Sequence, residues 1–487
     1  MPVRLDRPLS KLRNADEAVM LSQLQGNILK GHGRNRTAQV FLRVKTGKAA
    51  QARAFLREYA ADKLMSAAQQ LEAAAIVKSE GPDSTNPLVN RAFTTIVISA
   101  TGYQALGISS EQTPTDASFL TGLKTRGAQL NDPPKNKWHQ GYRGQLHVMI
   151  LIAAKADVEA SDFASMIELE LIDLVARAPK KAITFVGMER GRVYENQHGE
   201  GVEHFGFVDG RSQPLLLEED VEKEDADPTG AFIWNPAFPL SQVLVKDPAV
   251  ADPNVFGSYF VFRKLEQNVK AFRVTEDALQ QQLTALATGA GKVYPPDLAG
   301  ATLVGRFRDG TPVTLQDHDG LHTPVLNNFD FADDMQGLKC PFHAHIRKTN
   351  PRGDTLRLFG APQNGFGGER SRIMARRGMA YGKRKQIAGQ FTDKPSARVG
   401  LLFMAYQGNI AEQFEFTQAQ WANNQGFVKI NTGADSVIGQ GGTIEQTHRA
   451  GWNDATAPAQ QKIFGDFVML KGGEYFFAPS LGFFAGL

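Results

Sequence analysis

Residues Ala38–Ala75 read AQVFLRVKTGKAAQARAFLREYAADKLMSAAQQLEAAA. The opening Ala38–Val44 is rich in β-formers, which predicts a strand. After Lys-Thr-Gly-Lys the composition turns to Ala, Leu, Glu, Gln and Arg with a helical repeat, which predicts a helix over Ala49–Ala75. The alternation then continues along the chain. Ala92–Ser99 (AFTTIVIS) reads as a strand, Thr101–Leu106 can open a short helix, and His147–Ala153 (HVMILIA) is an apolar strand. Ala160–Ala176 is helical in pattern, and Ile183–Met188 (ITFVGM) is a further strand. The order β-α-β-β-α-β is the split βαβ pattern of a ferredoxin-like domain.

The second half repeats this theme less cleanly. Leu217–Gly230 (LEEDVEKEDADPTG) is acidic without apolar periodicity and is expected to be an exposed loop near a domain boundary. Beyond it, Ser258–Arg263, Arg372–Ala375 and Gly400–Tyr406 read as strands, and Thr275–Ala287 and Ile410–Asn423 as helices. Gly289–Asn328 is loop-rich and carries no assignment. A chain of 487 residues exceeds one simple core. The expected architecture is therefore α+β, with two ferredoxin-like domains over 1–225 and 226–487.

The formal charge of +3, with no long basic block, argues against nucleic acid as a partner. The lone cysteine, Cys340, excludes an intrachain disulfide framework and suits a reducing compartment. The N-terminal segment lacks the apolar core of a signal peptide, and no apolar run is long enough to span a bilayer. A cytoplasmic protein without membrane contact is expected.

Three segments carry chemistry. Cys340–Arg352 (CPFHAHIRKTNPR) sets His343 and His345 beside Arg347, Lys348 and Arg352. Neutral imidazole is a common ligand of transition metals and haem iron, and clustered cations suit an anionic ligand. Hydrogen-bonded core histidines read equally well there, and two histidines are too few for a closed zinc site. Phe205–Pro214 (FGFVDGRSQP) flanks Asp209 with Gly206 and Gly210. Glycines let the backbone approach a flat ligand, and a carboxylate in this apolar setting is expected to be desolvated and fit for proton transfer. A simple Asp-Gly turn is the plainer alternative. In Arg372–Gly382 (RIMARRGMAYG), strand alternation points one of Arg376 and Arg377 inward, or both end an edge strand at the surface.

GFVDG, CPFHAHIRKTNPR and RIMARRGMAYG, in this order, resemble the dye-decolorizing peroxidases. Leu24–Arg34 (LQGNILKGHGR) and Gly400–Asn424 resemble that family's end signatures, so the likeness spans nearly the whole chain and falls in its long, elaborated branch. The resemblance implies two ferredoxin-like domains enclosing haem b. It implies an enzyme that reduces hydrogen peroxide via a ferryl intermediate and oxidises dyes, phenols or other aromatic reductants by one-electron steps. A haem-binding or haem-handling protein with little turnover is the alternative, and a homodimer is compatible with the family.

Residue by residue, the resemblance makes His345 the axial iron ligand, with His343 as the alternative. Asp209 and Arg376 fall on the distal face, as proton shuttle and fixed positive charge. Arg347 would meet a haem propionate and Gly210 would lie against the cofactor. Asp435, in GADSVIGQ, would accept the hydrogen bond of the axial imidazole, with Asn409 as runner-up. Trp421 and Tyr381 are candidates for surface electron transfer.

Overall fold

The computed structural model describes residues 2–155, 165–225, 233–289, 291, 293–359, 368–441, 445–449 and 451–487. Its first four long strands are β1 (Arg36–Val44), β2 (Phe93–Ile98), β3 (Val148–Ala154) and β4 (Ile183–Arg192). They pair antiparallel in the order β4-β1-β3-β2. Every residue of β2 and β3 is buried, which explains why AFTTIVIS and HVMILIA are near-continuous apolar runs and not alternating ones.

The second set is β5 (Phe256–Gln267), β6 (Ala375–Arg376), β7 (Met379–Tyr381), β8 (Gly400–Gln407) and β9 (Val468–Ala478). β6 and β7 pair with the same edge of β8 in one register, Arg376 opposite Ala405 and Met379 opposite Leu402. They behave as one strand interrupted at Arg377–Gly378. The order β9-β5-β8-β7 then repeats that of the first half. The halves meet at two seams: Ala380 and Tyr381 lie opposite Arg192 and Gly191, and Phe477 lies opposite Ile98. The strands thereby return on themselves and leave the ring without a free edge. Both ferredoxin-like units are present, but they close one barrel together.

The region predicted as one helix over Ala49–Ala75 is two, α1 (Ala49–Lys63) and α2 (Ala67–Glu80). α1 buries Ala52, Phe55, Leu56, Tyr59 and Ala60, a stripe at helical spacing. The break between them is built in. Ser66 accepts from the Gln69 N–H and the Gln69 side chain accepts from the Ser66 N–H, a capping box that starts a new helix. The Met65 N–H meanwhile donates to the Thr94 carbonyl in β2.

α3 (Ser165–Arg177) matches the prediction where it is described; residues 160–164 of that prediction lie outside the described residues. α4 (Val269–Gly289) starts six residues earlier than predicted. The acidic stretch is a correction: Glu218–Asp225 is helical, and 226–230 lie outside the described residues. Its carboxylates pair with distant cations: Arg13 with Glu219, Lys30 with Asp220 and Arg211 with Glu224. Acids in its first turn also suit the helix dipole. The unassigned Gly289–Asn328 contains a short helix, Leu298–Val304. Arg372–Ala375 is not a strand as bounded, since Arg370–Arg372 form a tight turn ahead of β6. Ile410–Asn423 is helical with widened turns at Ala411–Glu415 and Thr417–Ala422. Among the described residues no helix is long and apolar enough to cross a membrane.

Candidate active site

His345 opens the short helix α5 (His345–Thr349). Its Nδ1 lies 2.9 Å from Oδ2 of Asp435, which is fully buried. The other carboxylate oxygen accepts from the N–H groups of Val437 (2.8 Å) and Ile438 (2.9 Å). The Asp435 N–H donates to the Ala422 carbonyl at 2.7 Å, so the widened helix places this residue. With the carboxylate fixed, Nδ1 carries the proton and the Nε2 lone pair is left for a ligand bond. Burial lowers the imidazole pKa, but the charge and hydrogen bond of Asp435 outweigh it and the pKa is raised. Asn409 is exposed and caps the widened helix by accepting from the Glu412 N–H, so it is not the partner.

Two further residues organise this side. Lys348 is buried, and its ammonium donates to the carbonyls of Asn424 and Phe427, tying α5 to the turn that leads to Asp435. Burial draws its pKa down to about 7. His343 is 1% exposed and turns away from His345, with its ring against Phe464 and His448. Burial lowers its pKa to about 3.

Arg347 requires a correction. All five of its N–H donors are taken inside the protein: by Asp354 (2.7 and 3.2 Å), by the Asp334 side chain and carbonyl (both 2.9 Å), and by the Cys340 carbonyl (2.6 Å). The side chain is 1% exposed and lies over the rings of Phe331 and Phe342. It is a buried structural cation with no N–H left for a propionate.

The GFVDG loop is scaffolded from below. Glu203 accepts from the N–H groups of Phe205 (2.8 Å) and Phe207 (3.1 Å) and from Gln267 (2.6 Å), while burial raises its pKa. Gly206 has φ +94°, and a Cβ there would sit 3.1 Å from the Arg273 guanidinium. Asp209 follows and is exposed. Its Oδ1 accepts from the Gly210 N–H at 2.6 Å, and Oδ2 is left for other partners. At Gly210, with φ +81°, a Cβ would meet nothing within 4 Å.

Arg376 is tied to the same loop: its N–H donates to Gln213 (3.0 Å) and its guanidinium to the Arg211 carbonyl (2.9 Å). Arg377, one residue on, faces the other way. Burial lowers the Arg376 pKa, and the charge of Asp209 acts against that. Both charges reach His345, Arg376 lowering and Asp209 raising its pKa. The fold therefore gathers Asp209, His345, Arg376 and Asp435 from four separated segments. Sequence reasoning missed Glu203, Gln213 and Gln267, and read Lys348 as one of a cation cluster for an anionic ligand, where the structure ties it to backbone carbonyls. Only Glu203 carries a local signal, an acid two and four residues ahead of the N–H groups it binds.

Trp421 and Tyr381 are also corrected, since neither is at the surface. Trp421 stacks on Phe427 at 5.1 Å, and Tyr381 lies under the Lys264 ammonium at 4.7 Å; both are buried. Of nine tyrosines and four tryptophans only Tyr294 and Trp452 are not buried, and the Tyr294 hydroxyl donates to the Trp452 carbonyl at 3.2 Å.

Fold and site first define a class: a closed α+β barrel of two ferredoxin-like units, with a carboxylate-oriented histidine within electrostatic reach of an aspartate and an arginine. A family described as "DyP dimeric alpha+beta barrel domain" matches residues 23–192. The chain is 41% identical to multifunctional dye peroxidase DyP2 of Amycolatopsis sp. over all of both chains, and that protein's solved structure superposes with a TM-score of 0.89. The DyP-type peroxidase AnaPX of Anabaena sp. is similar at 36% identity, over 96% of this chain and 94% of that one, with a TM-score of 0.83. A dye-decolorizing peroxidase solved in complex with 2,6-dimethoxyphenol matches at 27% identity over 95% of this chain and 98% of that one, with a TM-score of 0.72. The chain belongs to the dye-decolorizing peroxidase family.

Proposed function

We propose that this chain is a haem b peroxidase that consumes hydrogen peroxide and oxidises dyes, phenols or other aromatic reductants one electron at a time. The observation that carries the reading is the 2.9 Å contact of His345 Nδ1 with Asp435, which leaves Nε2 free to bind iron, with Asp209 and Arg376 within electrostatic reach of the same imidazole. The residues fit haem on their own chemistry: an oriented imidazole on a partly open ring, and a glycine, Gly210, with room beside it. When bound, haem supplies the iron at which peroxide is reduced and the store of oxidising equivalents.

The protein's own tasks are then specific. His345 would hold the iron, and Asp435 holds His345, keeping its tautomer and raising its basicity. Oδ2 of Asp209 takes a proton from one peroxide oxygen and returns it to the other, which leaves as water. The Arg376 guanidinium offsets the negative charge that builds on the departing oxygen. Each turnover consumes one peroxide, two electrons and two protons and yields two waters. Aromatic reductants are supported by the relative solved with 2,6-dimethoxyphenol. Tyr294 and Trp452, both half-buried, replace the buried pair as candidates for electron transfer toward the surface. A cytoplasmic location accords with the buried, unpaired Cys340.

The test is direct. Purified protein supplied with haem should show a Soret band and turn over peroxide with a phenol or dye. His345→Ala should lose the band and His343→Ala should keep it. A Soret band without turnover would point instead to haem handling, and loss of the band only in His343→Ala would reassign the ligand.

A further inference from the structure

Arg377 stands beside the distal arginine, and its surroundings give it a separate task. It makes no ion pair among the described residues. Its Nε donates to the Asn27 carbonyl (2.8 Å), Nη2 to the Ile28 carbonyl (2.9 Å) and Nη1 to the carbonyl of Arg376 (2.9 Å). Its backbone N–H donates to Met404 at 2.7 Å, in the ladder with β8. The acceptor side is equally fixed. Asn27 has φ +71°, which turns consecutive carbonyls toward one guanidinium. Its N–H donates to Gln70 Oε1 (2.7 Å), its side chain accepts from the His32 N–H (3.1 Å), and Gln70 also donates to the carbonyls of Lys30 and Gly31.

Holding a half-buried cation on carbonyl dipoles is a costly way to pack a strand, because a leucine avoids the desolvation. Burial draws this arginine's pKa down to about 10. What the cation supplies is fixity at its neighbour. The Arg376–Arg377 peptide is held at its oxygen by Nη1 and at its nitrogen by Met404, and the Arg376 N–H is held by Gln213. Both peptides flanking the Arg376 Cα are therefore clamped. The planar, forked guanidinium reaches all three carbonyls from one side chain, which an ammonium on a shorter stem does not.

We infer that Arg377 is a positioning residue for the peroxide step, clamping the LQGNILKGHGR segment to the distal strand so that the Arg376 guanidinium is held at its working angle. The inference rests on the reading of Arg376 as the distal cation. It is tested on haem-loaded wild type, Arg376→Leu, Arg377→Ala, Arg377→Lys and the double variant Arg376→Leu/Arg377→Ala. The readout is the second-order rate of Soret change on adding peroxide, with haem content and thermal midpoint measured alongside. Displacing a catalytic group by about 1 Å costs up to roughly 100-fold, so Arg377→Ala should slow the reaction by roughly 10- to 100-fold with haem content unchanged. Arg377→Lys should recover part of the loss, and millimolar guanidinium should restore Arg377→Ala. In the Arg376→Leu background the same change should cost nothing further, because there is no guanidinium left to position.

An Arg377→Ala rate within twofold of wild type overturns the inference. So does an equal loss in both backgrounds, which marks a general structural role. Should Arg377→Ala fail to fold, Arg377→Lys decides alone: a slowed reaction at full haem content supports the clamp, and a wild-type rate overturns it. If Arg376→Leu by itself leaves the rate unchanged, the reading of Arg376 falls first and is seen to fall separately.

Discussion

At the scale of single residues, the site is a matter of which donors and acceptors are already spent. Asp435 gives one oxygen to two backbone N–H groups and the other to His345, so a neutral replacement has a defined consequence. In Asp435→Asn the remaining carbonyl oxygen stays with Val437 and Ile438, and the amide N–H₂ is turned toward Nδ1–H of His345. Donor then faces donor, the imidazole loses basicity, and the haem reduction potential should rise in spectroelectrochemical titration; a fall or no change would remove Asp435 from the role. Arg347 is spent in a different way. Arg347→Met leaves Asp334 and Asp354 buried without their cation, which costs about 3–5 kcal/mol. The expected result is a lower urea midpoint both with and without haem. A loss of haem affinity at unchanged stability of the haem-free protein would restore the propionate role.

At the scale of elements, breaks and widened turns matter more than the regular stretches. The α1–α2 break puts the Met65 backbone between Gly26 and Thr94, beside the segment that Arg377 grips. Ser66→Ala removes a side-chain cap and should cost about 1 kcal/mol in denaturant unfolding, with the peroxide rate unchanged. A large rate loss would mean that the break itself tunes the site. The widened helix has a comparable part, since the Ala422 carbonyl receives the Asp435 N–H. Its turns were not legible in the sequence, because Ile410–Asn423 has an ordinary helical pattern and i→i+5 bonding is selected by what packs around it.

At the scale of the whole molecule, three buried histidines distribute acid lability over the fold. His147, His204 and His448 each have a pKa lowered to about 4, chiefly by burial. His147 Nδ1 accepts from the Val44 N–H at 3.0 Å, so protonation breaks a bond within the first unit. These groups are neutral in the fold down to about 4, whereas the unfolded chain takes up protons below about 6.5. Their contribution is complete above that pH and is lost as pH falls from about 6.5 toward 4, each at up to about 1.4 kcal/mol per pH unit. Urea unfolding at pH 7, 5.5 and 4.5 should show this decline, and His448→Phe should flatten it. Stability that is level across the range would show that these rings titrate normally. Closure of the barrel acts at the same scale. We propose a division at 225/226 because it falls between the last long strand of the first unit and the first of the second, but the seams at Ile98–Phe477 and Arg192–Ala380 join the units into one ring.

The amino-acid sequence by itself determined the strand and helix order of the first unit, the α+β class and the segments that carry chemistry. Those features are written in local periodicity and in short motifs, where neighbours in sequence are neighbours in space. It also ranked His345 over His343 and Arg376 over Arg377, through a likeness in motif spacing. Only the tertiary structure decided that the two units share one barrel, because pairing at a seam depends on edges hundreds of residues apart. Only the tertiary structure showed that Arg347 is consumed by Asp334 and Asp354, that Trp421 and Tyr381 are buried, and that the acidic stretch is a helix held by basic partners. A charged or aromatic side chain looks the same in a sequence whether it faces solvent, a ligand or a counter-ion. What it does is set by the desolvation and partners that long-range packing assigns to it.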